Sequence, residues 1–318
     1  MTTTRFRIGA TTAALLLGGA AFAAGATSAQ AAPAAADASA QVAHYAVPST
    51  KAATAATYWS ADRMRAAAPA DTLISAGERT ASTAAPAKGK AVTYSANAVS
   101  PKAGSPAPVS HIGKVFFTLG GQDYVCSGNS ISSSNGSVVA TAGHCLNEGP
   151  GDFATNWVFV PAYDNGSAPY GQFAATDLFT TNQWKNDGDI TYDTGFAVVS
   201  GDGNLADEVG ASPVSFNQDR GLGYAAFGYP AGSPFNGETL KSCTDSSSSD
   251  DPFGQSESQG IDCDMTGGSS GGPWFIGSGS GGTQNSVNSF GYDGVANTMF
   301  GPYWGSAIQS AYQAASAA

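Results

Sequence analysis

From Lys114 onward the apolar residues gather in short runs broken by Gly, Asn, Asp and Pro: "KVFFTL", "YVCSGNSI", "GSVVATA", "NWVFVPAY", "GFAVVS", "GYAAFGYP", "PWFIG" and "SVNSFGY". Runs of this length, rich in Val, Phe, Tyr and Trp and closely spaced, predict an all-β fold, a barrel or a sandwich. A helical period returns late, in "YWGSAIQSAYQAA", where Trp304, Ile308 and Tyr312 recur every four residues. That spacing predicts a C-terminal helix laid on the β core.

The N-terminal third has another texture. Arg5 and Arg7 precede an apolar stretch from Ile8 to Ala24, and small residues follow to Ala31. This is the pattern of a secretory signal peptide, residues 1–31, too short and too diluted with Gly and Ala for a membrane span. Residues 32–108 are rich in Ala, Ser, Thr and Pro and read as a pro-segment or linker, largely of low complexity, that buries little on its own. One exception is "TYWSADRMRAAAPAD", where Ser60 is placed to cap a short helix carrying Met64 and ending before Pro69, a small docking element. The expected product is secreted and extracellular, without a membrane anchor, and its folded domain spans 109–318.

Charge separates the two parts. Residues 32–109 carry seven Lys or Arg against four Asp or Glu, whereas residues 110–318 carry four against twenty. Acidity of this size disfavours nucleic acid as a partner and favours basic ligands, the chain's own basic pro-segment among them. Four cysteines, Cys126, Cys145, Cys243 and Cys263, fit two disulfides in an exported protein; their order favours the two local pairs among three possible connectivities. With no CxxC and only three histidines, His44, His111 and His144, the sequence offers no metal set and calls for no cofactor.

Three stretches bear chemistry, in chain order: "VVATAGHC" with His144, "NDGDITYDTGFAVV" with Asp193, and "GGSSGGPW" with Ser270. Acyl transfer by a hydroxyl needs a base to take its proton and an acid to hold that base in one tautomer, and distant loops can supply all three. Asp193 leads directly into the alternating strand from Gly195, whereas Asp187 and Asp189 fit a solvated turn. "GGSSGGP" also satisfies the G-x-S-x-G of α/β-hydrolase esterases, but that fold places its histidine after the serine, and no histidine follows His144.

"TAGHC", an aspartate leading an apolar strand, and "GSSGGP" resemble the chymotrypsin-like serine peptidases, and more nearly their secreted bacterial trypsin-like and glutamyl-endopeptidase-like branch, over roughly residues 111–312. The resemblance implies two six-stranded antiparallel β-barrels with the site between them, and a serine endopeptidase acting through an acyl-enzyme. It implies His144 as base, Asp193 as its orienting acid and Ser270 as nucleophile, with the N–H groups of Gly268 and Ser270 as oxyanion hole. Cys126 pairs with Cys145 on this reading. Ser289, Phe290 and Gly291 would bind the substrate backbone as an added strand, and Gly301 would line the specificity pocket.

Two departures stand out. Ser269 occupies the slot where trypsins keep the aspartate that receives the freed N-terminus, so activation by that ion pair is not expected. Asp264, six residues before Ser270, falls where trypsins carry the acid that selects Arg or Lys; yet Cys263 lies seven before the serine rather than four. The expectation is cleavage after Arg or Lys, with an uncharged or Glu preference as alternative. The expected partners are a peptide or protein substrate and the pro-segment as intramolecular inhibitor or chaperone. The rival reading is a binding protein that keeps the fold without the activity.

Overall fold

A computed structural model describes residues 41–73, 84–95, 109–201, 203–277 and 279–318. The expected signal peptide lies outside them. Among the described residues no helix is long and apolar enough to cross a membrane.

The strands, in chain order, are β1 (Val42–Ala46), β2 (Ala68–Pro69), β3 (Val92–Tyr94), β4 (Ile112–Leu119), β5 (Gln122–Ile131), β6 (Val138–Thr141), β7 (Thr155–Pro161), β8 (Phe173–Thr181), β9 (Gly195–Ser200), β10 (Val214–Phe216), β11 (Tyr224–Gly228), β12 (Lys241–Asp245), β13 (Ser249–Asp250), β14 (Gln259–Asp262), β15 (Pro273–Ile276), β16 (Thr283–Val287) and β17 (Thr298–Gly301). The predicted all-β fold is what forms.

β8, β7, β4, β5, β6 and β9 pair in that order, and β9 pairs back onto β8, closing a six-stranded barrel. β4 and β5 are joined through Gly120 and Gly121, with φ of 57° and 83°. A two-residue hairpin with both central residues in the left-handed region is a type I′ geometry that glycine adopts without strain. The barrel interior is filled by residues such as Val115, Phe117, Val139, Phe159, Leu178 and Phe196.

The second half combines a six-stranded sheet, β12-β11-β15-β16-β10-β3, with a three-stranded sheet, β13-β14-β17. Both contribute to one core, with Tyr224 and Trp274 from the larger sheet and Ile261 and Met299 from the smaller. The predicted C-terminal helix is present as Ser306–Ala317; it buries Ile308 and Tyr312, and Tyr312 meets Phe196 and Phe216.

The segment before the barrel is more structured than its composition suggests. β1 adds to the barrel edge through five antiparallel pairs with β8, and a helix over Ser49–Tyr58 follows. The predicted short helix forms at Ala61–Ala66, capped by the Ser60 side chain, which accepts from Arg63 N, and it buries Met64. Trp59 and Met64 share a core with Phe116, Val125 and Val158 on the outer face of the barrel. That explains why β4 reads as a nearly continuous apolar run: it is covered on both faces. Farther along, β3 extends the larger sheet by pairing with β10, and Tyr94 lies against Phe216 and Tyr312.

Candidate active site

β6 ends at Thr141, and a single 3₁₀ turn over Gly143–Cys145 presents His144. The turn is fixed from both sides. Cys145 is bonded to Cys126 of β5, and Trp157 Nε1 donates to the Cys145 carbonyl at 2.9 Å. Cys243 and Cys263 form the second disulfide, so both local pairs expected from the sequence are found.

Asp193 follows another 3₁₀ turn, Ile190–Tyr192, and precedes β9. It is fully buried beside His144, which is fully buried too. His144 N donates to Asp193 Oδ1 at 2.8 Å, and His144 Nδ1 lies 2.8 Å from Oδ2. An ionised carboxylate can only accept, so Nδ1 carries the proton and Nε2 of the neutral ring keeps its lone pair. Ser289 Oγ donates to the same Oδ2 at 2.5 Å. Burial works to raise the Asp193 pKa, but the electrostatic attraction of the His144 ring and the hydrogen bonds from His144 and Ser289 outweigh it and hold the carboxyl below its ordinary value. Asp189 is buried rather than solvated, because its side chain accepts from Thr191 N and caps the turn that delivers Asp193; Asp187 is exposed.

The glycine-rich turn 267–272 is held by hydroxyls and amides. Ser127 Oγ donates to the Gly268 carbonyl at 2.9 Å, Ser127 N to the Ser270 carbonyl at 2.7 Å, and Asn288 Nδ2 to the Ser269 carbonyl at 3.0 Å. Ser269 Oγ turns inward and donates to the Thr266 carbonyl at 2.8 Å. The turn thus needs no carboxylate in the Ser269 slot. Gly268 has φ of 92°, a conformation that glycine reaches without steric cost. Neither Gly268 N–H nor Ser270 N–H donates to another described residue. Cys145 Sγ lies 3.8 Å from the Ser270 carbonyl, which brings this turn against the one carrying His144.

Ser270 and Ser289 line one cleft of about 330 Å³, together with Met265, Thr266, Phe290, Gly291, Thr298, Met299 and two carboxylates, Asp71 and Asp293. A larger hollow of about 1140 Å³ lies between the Ser49–Tyr58 helix and the start of β8, but it holds none of the candidate residues. Phe290 spends its own N–H and C=O on Phe300. The flanking Ser289 carbonyl and Gly291 N–H bond to no described residue.

Two expected pocket residues are elsewhere. Asp264 is exposed between buried Cys263 and Met265 and does not line the cleft. The in-out alternation of extended chain turns it to the outer side, and the displaced cysteine sets that phase. Gly301 is buried in β17, where a Cβ would come within 2.5 Å of the Val287 carbonyl and 3.1 Å of Trp274. Its smallness serves core packing; Thr298 and Met299 supply the wall instead.

The crystal structure of the protease Anisep from Arthrobacter nicotinovorans is similar at 60% identity and a TM-score of 0.65, covering 67% of this chain and 99% of that one. The thermostable serine protease AL20 from an extremophilic microorganism is similar at 53% identity and a TM-score of 0.64, with the same coverage. The chain belongs to the chymotrypsin-like serine proteases. A Glu endopeptidase crystallised with MPD shares the fold at 19% identity and a TM-score of 0.52, over 67% of this serine protease and 93% of that chain. An extracellular metalloprotease of Bacillus subtilis (strain 168) is 27% identical over 113 residues, 35% of each protein, so the chain spans about a third of the length of that curated relative. No family model matches the sequence. Among the described residues, the one cluster of potential metal ligands is Cys126, His144 and Cys145, and its two sulfurs are joined to each other rather than free as thiolates.

Proposed function

We propose that this serine protease is a secreted endopeptidase made as a pre-pro-protein, with residues 1–31 as signal, 32–108 as pro-segment and 109–318 as the peptidase domain. Ser270 Oγ attacks the scissile carbonyl carbon as His144 Nε2 takes the hydroxyl proton, and the carbonyl oxygen becomes an oxyanion held by the N–H groups of Gly268 and Ser270. The C–N bond then breaks, His144 returns the proton to the leaving amine, and an acyl-enzyme remains. Water attacks the ester by the same proton route and frees Ser270. Asp193 fixes the imidazole and stabilises its protonated form.

What carries the reading is a turn held by Ser127 and Asn288 that leaves the Gly268 and Ser270 amides uncommitted, together with a buried His144–Asp193 couple whose Asp193 is bonded to the cleft residue Ser289. Donors fixed in advance toward a developing oxyanion are the larger part of catalysis in such sites. The Ser289 carbonyl and Gly291 N–H, left over by the Phe290–Phe300 pairing, suit an added antiparallel substrate strand.

The preference for Arg or Lys rested on Asp264, which is exposed. Thr266, Ser289 and Thr298 with Met265, Met299 and the carboxylate of Asp293 make a wall without Lys, Arg or His, which disfavours Glu and suits an uncharged or a basic side chain. The non-catalytic alternative is disfavoured by the completeness of the set.

The test is labelling by a fluorophosphonate and hydrolysis of a peptide library by the processed protein. Ser270→Ala should abolish labelling and lower kcat by about 10⁶-fold, whereas Ser269→Ala should retain both. Label on Ser269, or no turnover of any library member, would overturn the reading.

A further inference from the structure

We propose that residues 68–73 are an autoinhibitory strap that closes, by occupying it, a site whose His144–Asp193 pair and oxyanion turn are already in place, with Asp71 at the mouth of the cleft; this rests on the Ser270/His144/Asp193 reading. β2 runs parallel to β5, with Ala68 opposite Tyr124 and Pro69 opposite Val125, one residue before the Cys126 that braces the His144 turn. The next residue, Ala70, has no exposure and belongs to the same apolar core as Ala142, Cys145 and Leu146, the residues around His144. Asp71 lines the cleft with Gly267, Ser270 and Ser289. Its carboxylate fills the space above Gly267, where a Cβ would lie 2.0 Å from Asp71 Cγ.

The strap is anchored well away from the cleft. Trp59 Nε1 donates to the Asn156 carbonyl, and Tyr58 and Arg63 both reach Asp123, at 2.8 and 2.9 Å. Met64 is buried on the barrel, and β1 continues the attachment along β8. Together these tether residues 68–73 so that they meet the cleft at high effective concentration.

The state of the site beneath identifies the kind of latency. His144 is fully buried, and its Nε2 has no partner among the described residues, so the base is sealed from substrate while its bond to Asp193 is already made. The oxyanion turn stands in place, stitched by Ser127, Asn288 and the Ser269 hydroxyl rather than by an ion pair to a new N-terminus. Nothing in the turn waits for cleavage. Removal of the strap leaves only the Ser270–His144 hydrogen bond to form, and the chemistry of the new N-terminus is immaterial.

The test compares full-length chain, verified intact by mass spectrometry, with the processed secreted protein, using the rate of Ser270 labelling by a small fluorophosphonate. The intact chain should label about 100-fold more slowly, and Ala70→Arg, which forces a charge into a fully buried position, should speed labelling of the intact chain about tenfold or more. Should Ala70→Arg not fold, a synthetic peptide of residues 41–73 added to processed protein should inhibit it, and its Asp71→Ala form should do so more weakly. Processed protein carrying two extra N-terminal residues should keep its rate within about twofold. Equal labelling of intact and processed chains, no inhibition by the peptide, or inactivation by the N-terminal extension would overturn the strap. Failure of both forms to label would instead overturn the Ser270 reading on which it rests.

Discussion

Ser289 Oγ lies 2.5 Å from Asp193 Oδ2, the same oxygen that receives the His144 Nδ1 proton. Ser289 is thus a positioning residue for the acid as well as part of the cleft wall. The Asp193 pKa is depressed, so its charged form contributes stability above the ordinary value of 3.8 that is lost as pH falls through the lower folded value. Removing one donor must raise the folded value and start the loss at a higher pH. Ser289→Ala should lower kcat about tenfold and shift the acid-unfolding midpoint upward, at a cost of about 1.5–3 kcal/mol near neutrality for a buried hydrogen bond to a charge. Acid titration by circular dichroism, with kcat and KM separated, checks this; curves that overlay the wild type would leave Ser289 with substrate alone.

Gly143 is forced by its neighbours. A Cβ there would lie 2.8 Å from Trp184 Cδ1 and 2.9 Å from Asp193 Oδ1, both in buried side chains. Gly143→Ala should displace either the indole or the carboxylate, lowering kcat by about 10- to 100-fold, the cost of a small misplacement. Trp184→Leu in the same chain should recover part of the loss. A Gly143→Ala enzyme with wild-type kcat would show that the turn can give way freely.

How far the site could be read from sequence follows from which contacts are local. His144, Asp193 and Ser270 each sit in a short stretch whose flanking residues make the turn, so their neighbourhoods could be read directly. The short helix at Ala61–Ala66 was equally legible from Ser60, Met64 and Pro69. The docking of Ser127, Asn288 and Asp71 around the 267–272 turn is long-range, and single serines or asparagines carry no pattern. Asp264 was misjudged because a count from Ser270 assumes one backbone path, and Cys263 shifts the in-out phase. The composition of residues 32–108 concealed Trp59 and Met64, a few large side chains that suffice to dock the segment because the barrel supplies the rest of that core.

Lys114 is buried in β4, where Nζ donates to the Gly237 carbonyl at 2.9 Å and lies 4.3 Å from the Tyr163 ring centre. Burial lowers its pKa from 10.5 to about 8, and Glu238 opposes this only in part. The unfolded chain therefore binds more protons than the folded one between about pH 8 and 10.5, and stability should rise with pH across that window. The shift corresponds to about 3 kcal/mol at most. Lys114→Met should remove that rise, flattening the difference between urea midpoints at pH 7 and pH 10. A wild-type midpoint that falls over this range faster than the variant's would contradict the assignment.

Asp264 lies outside the cleft, and one substitution tests whether it selects the substrate side chain. The carboxylate is exposed, outside a cleft lined by Thr266, Ser289, Thr298, two methionines and a different carboxylate, Asp293. A solvated charge at that distance is screened and contributes little to selecting a substrate side chain. Asp264→Asn should therefore leave the ratio of kcat/KM for Arg over Leu substrates within about twofold of wild type. Thr298→Lys, by contrast, puts a cation into the wall and should raise cleavage after Glu relative to Leu by about tenfold, through an attraction of order 1–2 kcal/mol in a partly desolvated site. Loss of Arg cleavage in Asp264→Asn, with Leu cleavage intact, would return the acid to the pocket floor and require the chain between Cys263 and Ser270 to take another path when substrate binds.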